Sequence, residues 1–265
     1  MKISCLHVNI ERSKHINLID RLLSEKRPEI ICLSEVIDTD LEKFAKDHDY
    51  HYAFGSEISY ANGSNQGVAI LSKHNIIETN MLRYDENNTT TPPVISFIER
   101  HDTKDRPEFR FHYHSVLLVA TINKDDQQLT IATAHFPIAD HSTYGDDHDE
   151  DHSLDETEDI HDINYVRGYF DRLMTLIRHL SSPLIFTSDL NNPRGEYMYD
   201  ALAHELFDQV PQDITTTMDP KIHRVKNIQL VVDTIMTSPD ISCSNFEVID
   251  GVSDHKALLA ELTVG

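Results

Sequence analysis

The chain has 265 residues, 39% hydrophobic and 26% charged, with a formal net charge of −22. Such a chain can bury a sizeable core, and its composition excludes collagen-like and low-complexity classes. Its acidity argues against a sequence-blind grip on long polyanions, and no apolar run is long enough to serve as a transmembrane segment.

Three cysteines, Cys5, Cys32 and Cys243, form no Cys-x-x-Cys pair and lie in apolar, strand-like surroundings. They predict reduced thiols rather than a disulfide framework. Residues 1–6 run straight into a strand-like pattern without a signal-peptide core, so a cytoplasmic location is expected.

Taken in chain order, residues 2–9 alternate and end on Asn9, predicting a strand. Ile16, Ile19, Leu22 and Leu23 recur at helical spacing and predict an amphipathic helix over 14–26. Residues 29–33 form a second apolar strand, which closes on Ser34-Glu35-Val36. A short helix is expected over 40–46, a turn over 62–65 and a strand over 67–72. Further strands are expected over 76–84, 94–99, 109–122 and 127–135, the last two forming a hairpin across 123–126.

Ten acidic and no basic residues lie between Asp146 and Asp162. That composition predicts a mobile, solvated loop over about 140–162, in which His148, His152 and His161 are solvated rather than metal-bound. A long helix follows, with Val166, Tyr169, Phe170, Leu173, Ile177 and Leu180 on one face. Beyond the strand that begins at Leu184 come a helical segment over 196–205, an irregular stretch over 207–228, and strands over 229–237, 245–249 and 257–262. There are no repeats and no linker. The expected organisation is therefore a single domain over 1–265, with two mixed sheets packed face to face and helices outside.

Polar groups close several of these strands. The run Leu184-Ile-Phe-Thr-Ser-Asp189-Leu-Asn191-Asn192 is a buried strand with Asp189 and Asn191 at its end. Two positions apart, they point the same way, at the mouth where α/β sheets bind ligands. A carboxylate beside a carboxamide can align a water against an oxyanion; an Asx turn leaving a strand also fits the pattern. Glu35 follows a buried run in which an unpaired carboxylate is costly and a divalent cation would relieve the cost. His135 closes the strand over 129–134. Asp233 interrupts an apolar strand and needs a partner, for which histidine is natural. Asp254 and His255 are adjacent and cannot share one face of a strand. In a bent loop they diverge, Asp254 to a metal and His255 to Asp233.

In order, the chain shows Val8-Asn9-Ile10, Ile31-Cys-Leu-Ser-Glu35-Val36, Gly67-Val-Ala-Ile-Leu-Ser72, Thr133-Ala-His135-Phe, Ser188-Asp189-Leu-Asn191, Val232-Asp233-Thr-Ile235 and Ser253-Asp254-His255. This series resembles the endonuclease/exonuclease/phosphatase superfamily, the deoxyribonuclease-I-like fold. The resemblance implies an α/β fold, a four-layer α/β/β/α sandwich with two packed mixed β-sheets flanked by helices, and metal-dependent hydrolysis of a phosphoester. Asn9 and Glu35 match the family's metal-site residues, and Asp254 a carboxylate near the metal. Asp189 matches the residue that activates the attacking water, and Asn191 one that contacts the phosphoryl oxygens. His135 matches a phosphate-contacting histidine, and Asp233 with His255 the Asp–His pair at the scissile phosphate. Glu11 falls where some members carry an acidic residue. Ser34 stands where the family usually has Gln, and Ser188 where it usually has Gly.

Hard oxygen ligands favour Mg²⁺ or Mn²⁺ over zinc. The expected function is a divalent-metal-dependent phosphodiesterase whose phosphorylated substrate is a nucleic acid, a nucleotide or a phospholipid head group. The alternative within the class is a phosphomonoesterase acting on a phosphoinositide or small metabolite. The alternative outside it is a non-catalytic scaffold that engages a basic protein partner through the acidic loop. The loop lacks the alternating ligands and central glycine of an EF-hand.

Overall fold

A computed structural model describes residues 1–85, 94–95, 114–137 and 156–265 of the chain. Thirteen strands are described: β1 Lys2–Asn9, β2 Ile30–Ile37, β3 His51–Tyr60, β4 Asn65–Ser72, β5 Ile76–Arg83, β6 Val94–Ile95, β7 Val116–Lys124, β8 Gln127–His135, β9 Leu184–Asp189, β10 Phe207–Asp208, β11 Asp233–Thr237, β12 Ile241–Ile249 and β13 Ala257–Val264. The helices are α1 Ile16–Lys26, α2 Asp38–His48, α3 Glu156–Arg178 and α4 Tyr197–Glu205.

The strands form two mixed sheets. One has seven strands in the order β12-β13-β1-β2-β4-β3-β6, the other six in the order β10-β11-β9-β8-β7-β5. In each sheet one central parallel pair, β1 with β2 and β8 with β9, sits among antiparallel neighbours.

The layering follows from period-two alternation. On β1, Ile3 and Cys5 join the core between the sheets, whereas Leu6 and Val8 face α1 and α2 with Ile19, Leu22, Leu23, Leu41 and Phe44. On the far side, Tyr169, Phe170, Leu173 and Ile177 of α3 and Leu202 of α4 cover the six-stranded sheet. Helix, sheet, sheet and helix therefore stack in four layers, as expected. Central strands such as Leu184–Phe186 are apolar without interruption because both of their faces are covered. The β7–β8 hairpin turns on Asp125 and Asp126, both left-handed, as a two-residue hairpin connection requires.

The structure departs from expectation in several places. The strand expected over 229–237 begins only at Asp233, which opens β11 rather than interrupting it, because the carbonyls of residues 230–232 accept the Thr217, Arg194 and Leu190 N–H groups instead of joining a sheet. β12 begins at Ile241, four residues before the expected start, and the short β10 falls in the stretch expected to be irregular. The strand at His51–Tyr60, β3, is not marked in the sequence, because its alternation is broken by polar residues and a bulge. The helix α3 begins at Glu156, so it takes in the last part of the stretch expected as an acidic loop over 140–162. Acidic residues complement the positive end of a helix, and the same composition that reads as solvated loop also suits a helix start. Cys243 is only half-buried, whereas Cys5 and Cys32 are buried; all three are free thiols. The strand residues expected over 96–99 and 109–113, the rest of the acidic stretch, and His148 and His152 lie outside the described residues.

Candidate active site

The ends of β1, β2, β8, β9 and β11 and the loop before β13 gather at one edge of the sandwich. Asp189 closes β9 and is fully buried. Its Oδ1 accepts the Asn191 N–H at 3.0 Å, an Asx turn that brings Asn191 into the left-handed region. Its Oδ2 accepts a bond from Asn9 Nδ2 at 3.0 Å and faces His255 Nε2 at 3.7 Å and His135 Nε2 at 3.8 Å. The Asx turn therefore exists, and it leaves the second carboxylate oxygen facing the mouth.

Asn9 bridges the sheets. Its Nδ2 also donates to Glu35 Oε1 at 3.3 Å, and its Oδ1 accepts the Glu11 N–H at 3.0 Å. Glu35 sits in a register break of β2 against β4, between Leu33 and Val36, with a left-handed backbone. A bulge of this kind re-aims a side chain that regular alternation would point elsewhere. The chain after β1 is stitched to it, because Ile10 N–H and Arg12 N–H donate to the Ser34 and Glu35 carbonyls, each at 3.1 Å.

His135 Nε2 accepts a bond from Asn191 Nδ2 at 3.1 Å and lies 4.0 Å from Glu35. Tyr84 donates its hydroxyl to the His135 carbonyl at 2.9 Å. On the other edge of the His135 ring, Nδ1 faces Glu57 at 4.0 Å. Burial pushes the Glu57 carboxyl well above its ordinary value, and the nearby charge of Glu35 adds to the rise. The sequence does not mark Glu57, because polar residues interrupt the alternation of its strand and because it too is aimed by a bulge, between Ser56 and Ile58.

Asp233, on β11, is fully buried and divides its oxygens between two histidines. His255 Nδ1 donates to Oδ2 at 2.8 Å and His7 Nε2 to Oδ1 at 3.3 Å. Burial would raise this carboxyl, but the His255 charge and the two bonds outweigh it and hold it below the usual range. Burial would likewise lower His255, but the charges of Asp233 and Asp189 and the bond to Asp233 hold its imidazole well above the ordinary value.

The loop carrying His255 is propped by a segment whose role the sequence did not reveal. Thr217 Oγ1 accepts the Val232 and Asp233 N–H groups, each at 3.1 Å. Asp219 accepts the Gly251 N–H at 2.6 Å and donates its own N–H to the Asp254 carbonyl at 2.8 Å.

Among the described residues, two groups place ligand atoms within 4.8 Å of one another: Glu11 with His15 and Asp254, and Asp189 with Asp233 and His255. In the second, Asp233 already spends both oxygens on imidazoles. The first lies near enough to Glu35 for its charge to bear on Asp254. Burial pushes the Asp254 carboxyl above its ordinary value, and the charges of Glu11 and Glu35 add to the rise against His255. Carboxylates that disfavour one another's charge are what a divalent cation relieves, and the oxygen-rich donor set suits one. His15 donates Nε2 to Glu11 at 3.2 Å, and Lys14 also pairs with Glu11.

The two departures from the family pattern are buried. Ser188 donates its hydroxyl to the Ala134 carbonyl at 2.8 Å, turned into the sheet rather than the mouth. The Ser34 hydroxyl finds no hydrogen-bond partner among the described residues.

The same architecture recurs in solved structures. A family protein from Leptotrichia buccalis superposes with a TM-score of 0.67 at 17% identity, over 98% of this chain and 99% of that one. The human Nocturnin catalytic domain, solved with a bound sulfate, gives 0.67 at 14% identity, over 100% and 94%. The D. rerio TDP2 structure with a single-strand DNA product gives 0.64 at 15% identity, over 99% of both chains. These likenesses define the class as the DNase I-like α/β sandwich. A comparison with curated proteins finds no match to the sequence. The sequence itself matches the endonuclease/exonuclease/phosphatase family over residues 6–255, and the chain belongs to that family of metal-dependent phosphoester hydrolases.

Proposed function

We propose that the chain is a divalent-metal-dependent phosphodiesterase working through water activated by Asp189. One observation carries the reading: Asp189 Oδ2 is buried, uncommitted to the turn that uses Oδ1, and ringed by Asn9, His135 and His255. Glu35 and Asp254, with Asn9 and Glu11 beside them, would hold the cation, Mg²⁺ or Mn²⁺. When bound, the ion supplies charge neutralisation and polarises a phosphoryl oxygen.

The protein's own groups do the rest. Asp189 Oδ2 orients a water for in-line attack and takes its proton. Asn191 and His135 face the phosphoryl oxygens. His255, its Nδ1 bound to Asp233, presents Nε2 as the donor to the developing negative charge. The bound DNA product of the D. rerio protein supports a nucleic-acid or nucleotide diester as the substrate class.

The test is hydrolysis of bis-p-nitrophenyl phosphate and p-nitrophenyl phosphate with Mg²⁺, Mn²⁺ or EDTA. Diester turnover is expected to need metal and to fall by roughly 10²- to 10⁴-fold in Asp189→Ala. Turnover of the monoester alone would move the enzyme to the phosphatases. Metal-independent turnover, or turnover indifferent to Asp189, would refute the reading.

A further inference from the structure

His7 lies two residues before Asn9 on the same face of β1, below the mouth and out of reach of any substrate. It is fully buried, and Ile3 and Cys5 on the same face lie in apolar core. A histidine there loses its hydration and must recover it from partners. It recovers half. Nε2 crosses from the seven-stranded sheet to the six-stranded one and donates to Asp233 Oδ1 at 3.3 Å. Nδ1 finds no hydrogen-bond partner among the described residues. An apolar residue of similar size would fill the space without leaving an orphaned nitrogen, so packing alone does not account for an imidazole here.

The bond it does make falls on a group whose direction matters. Asp233 Oδ2 binds His255 Nδ1 at 2.8 Å, and its backbone N–H is pinned by Thr217 at 3.1 Å. A carboxylate held through one oxygen alone can rotate about its terminal torsion, which is broad. Held through both, it cannot. His255 in turn shows its other nitrogen to Asp189 Oδ2 at 3.7 Å. We infer that His7 is a positioning residue: by holding Oδ1 of Asp233 it turns Oδ2 onto His255 Nδ1 and fixes the imidazole edge that faces Asp189. Its importance for turnover rests on the function proposed above; its hold on the Asp233–His255 pair does not.

The test compares His7→Gln, whose amide nitrogen reproduces the reach of Nε2, with His7→Asn, which is polar but too short, and His7→Leu, which keeps bulk without a donor. The first readout is the low-field proton resonance of His255 Nδ1–H, assigned with His255→Gln and read without turnover. It should stay in place in His7→Gln and shift or broaden in His7→Asn and His7→Leu. The second is hydrolysis of bis-p-nitrophenyl phosphate with Mg²⁺. Loss of an orienting partner should lower kcat by roughly 10- to 100-fold in His7→Asn and His7→Leu. KM and the Mg²⁺ affinity by calorimetry should stay within about twofold, and Gln should restore most of kcat.

A resonance unchanged in His7→Asn would overturn the inference, as would equal behaviour of the Asn and Gln variants. The Asn–Gln comparison stands even where His7→Leu does not fold. A wild type that shows the resonance and its dependence on His7 but hydrolyses no phosphodiester would count against the proposed function and uphold the inference.

Discussion

At the scale of single residues, the strand-ending polar groups were legible because each interrupts a pattern that is otherwise apolar. Asn9, His135 and Asp189 close buried strands, Glu35 interrupts one and Asp233 opens one, and a buried polar group demands a partner. What periodicity does not carry is contact between sheets. His7 and Glu57 look like ordinary polar positions along their strands; only the packing of one sheet on the other shows what they meet. Ser188 illustrates the converse. Its place before Asp189 suggests interference with the substrate, yet its hydroxyl is spent on the Ala134 carbonyl inside the sheet. Ser188→Gly should therefore leave kcat/KM within about threefold while lowering stability by about 1–2 kcal/mol, through the lost bond and added chain entropy. Steady-state kinetics beside urea denaturation checks both, and a large gain in activity would show that the hydroxyl obstructs the site.

At the scale of elements, the turn of β2, β3 and β4 around Gly67 is the decisive local structure. Gly67 pairs with Val36 on one side and Ser56 on the other, at the two breaks in register that aim Glu35 and Glu57. A Cβ on Gly67 would lie 1.9 Å from the Gly55 carbonyl oxygen, so the strands come together only because it has none. Gly67→Ala should cost about 1–3 kcal/mol, the range for forced overpacking, and lower kcat beyond what the loss of folded protein explains. Activity per folded molecule, from kinetics normalised to a denaturation curve, separates the two effects.

The opposite end of the sandwich is held differently. There Glu29 of the β1–β2 side receives His74 Nε2 at 2.8 Å and Lys124 from the β7–β8 hairpin. Burial would raise the Glu29 carboxyl, but Lys124 and His74 outweigh it and hold it below its ordinary value. A lowered carboxyl contributes stability that is complete above the unfolded value, about 4.3, and is lost as pH falls through the lower folded value. Glu29→Gln should therefore be less stable than wild type at pH 7, by under about 1 kcal/mol because solvent screens the clasp. The urea midpoints of the two should converge as pH falls toward 3. A gap that persists there would point to packing instead of charge.

At the scale of the whole molecule, the four-layer arrangement was legible because strand–helix–strand units flank a run of hairpins, and the topology confirms that order. Charge acts at this scale too. With a net charge of −22, the molecule repels anionic polymers at long range. Hydrolysis of an oligonucleotide should therefore speed up as salt rises from about 20 to 150 mM, where the screening length shrinks from over 20 Å to about 8 Å. A small diester such as bis-p-nitrophenyl phosphate should respond far less. Measuring kcat/KM for both against ionic strength checks this; a steep fall for the oligonucleotide would reveal a local cationic groove.

The site also draws on strands laid down at different times. The seven-stranded sheet takes β1 to β4 from the first part of the chain and β12 and β13 from the last, and His255 stands just ahead of β13. During synthesis, Asn9 and Glu35 are made well before Asp189, and Asp189 well before His255. A nascent chain that stops short of His255 lacks part of the set. Until β13 pairs with β1, the early residues of the candidate site stand on an incomplete sheet, and the site closes only when the late strands slide in beside the first.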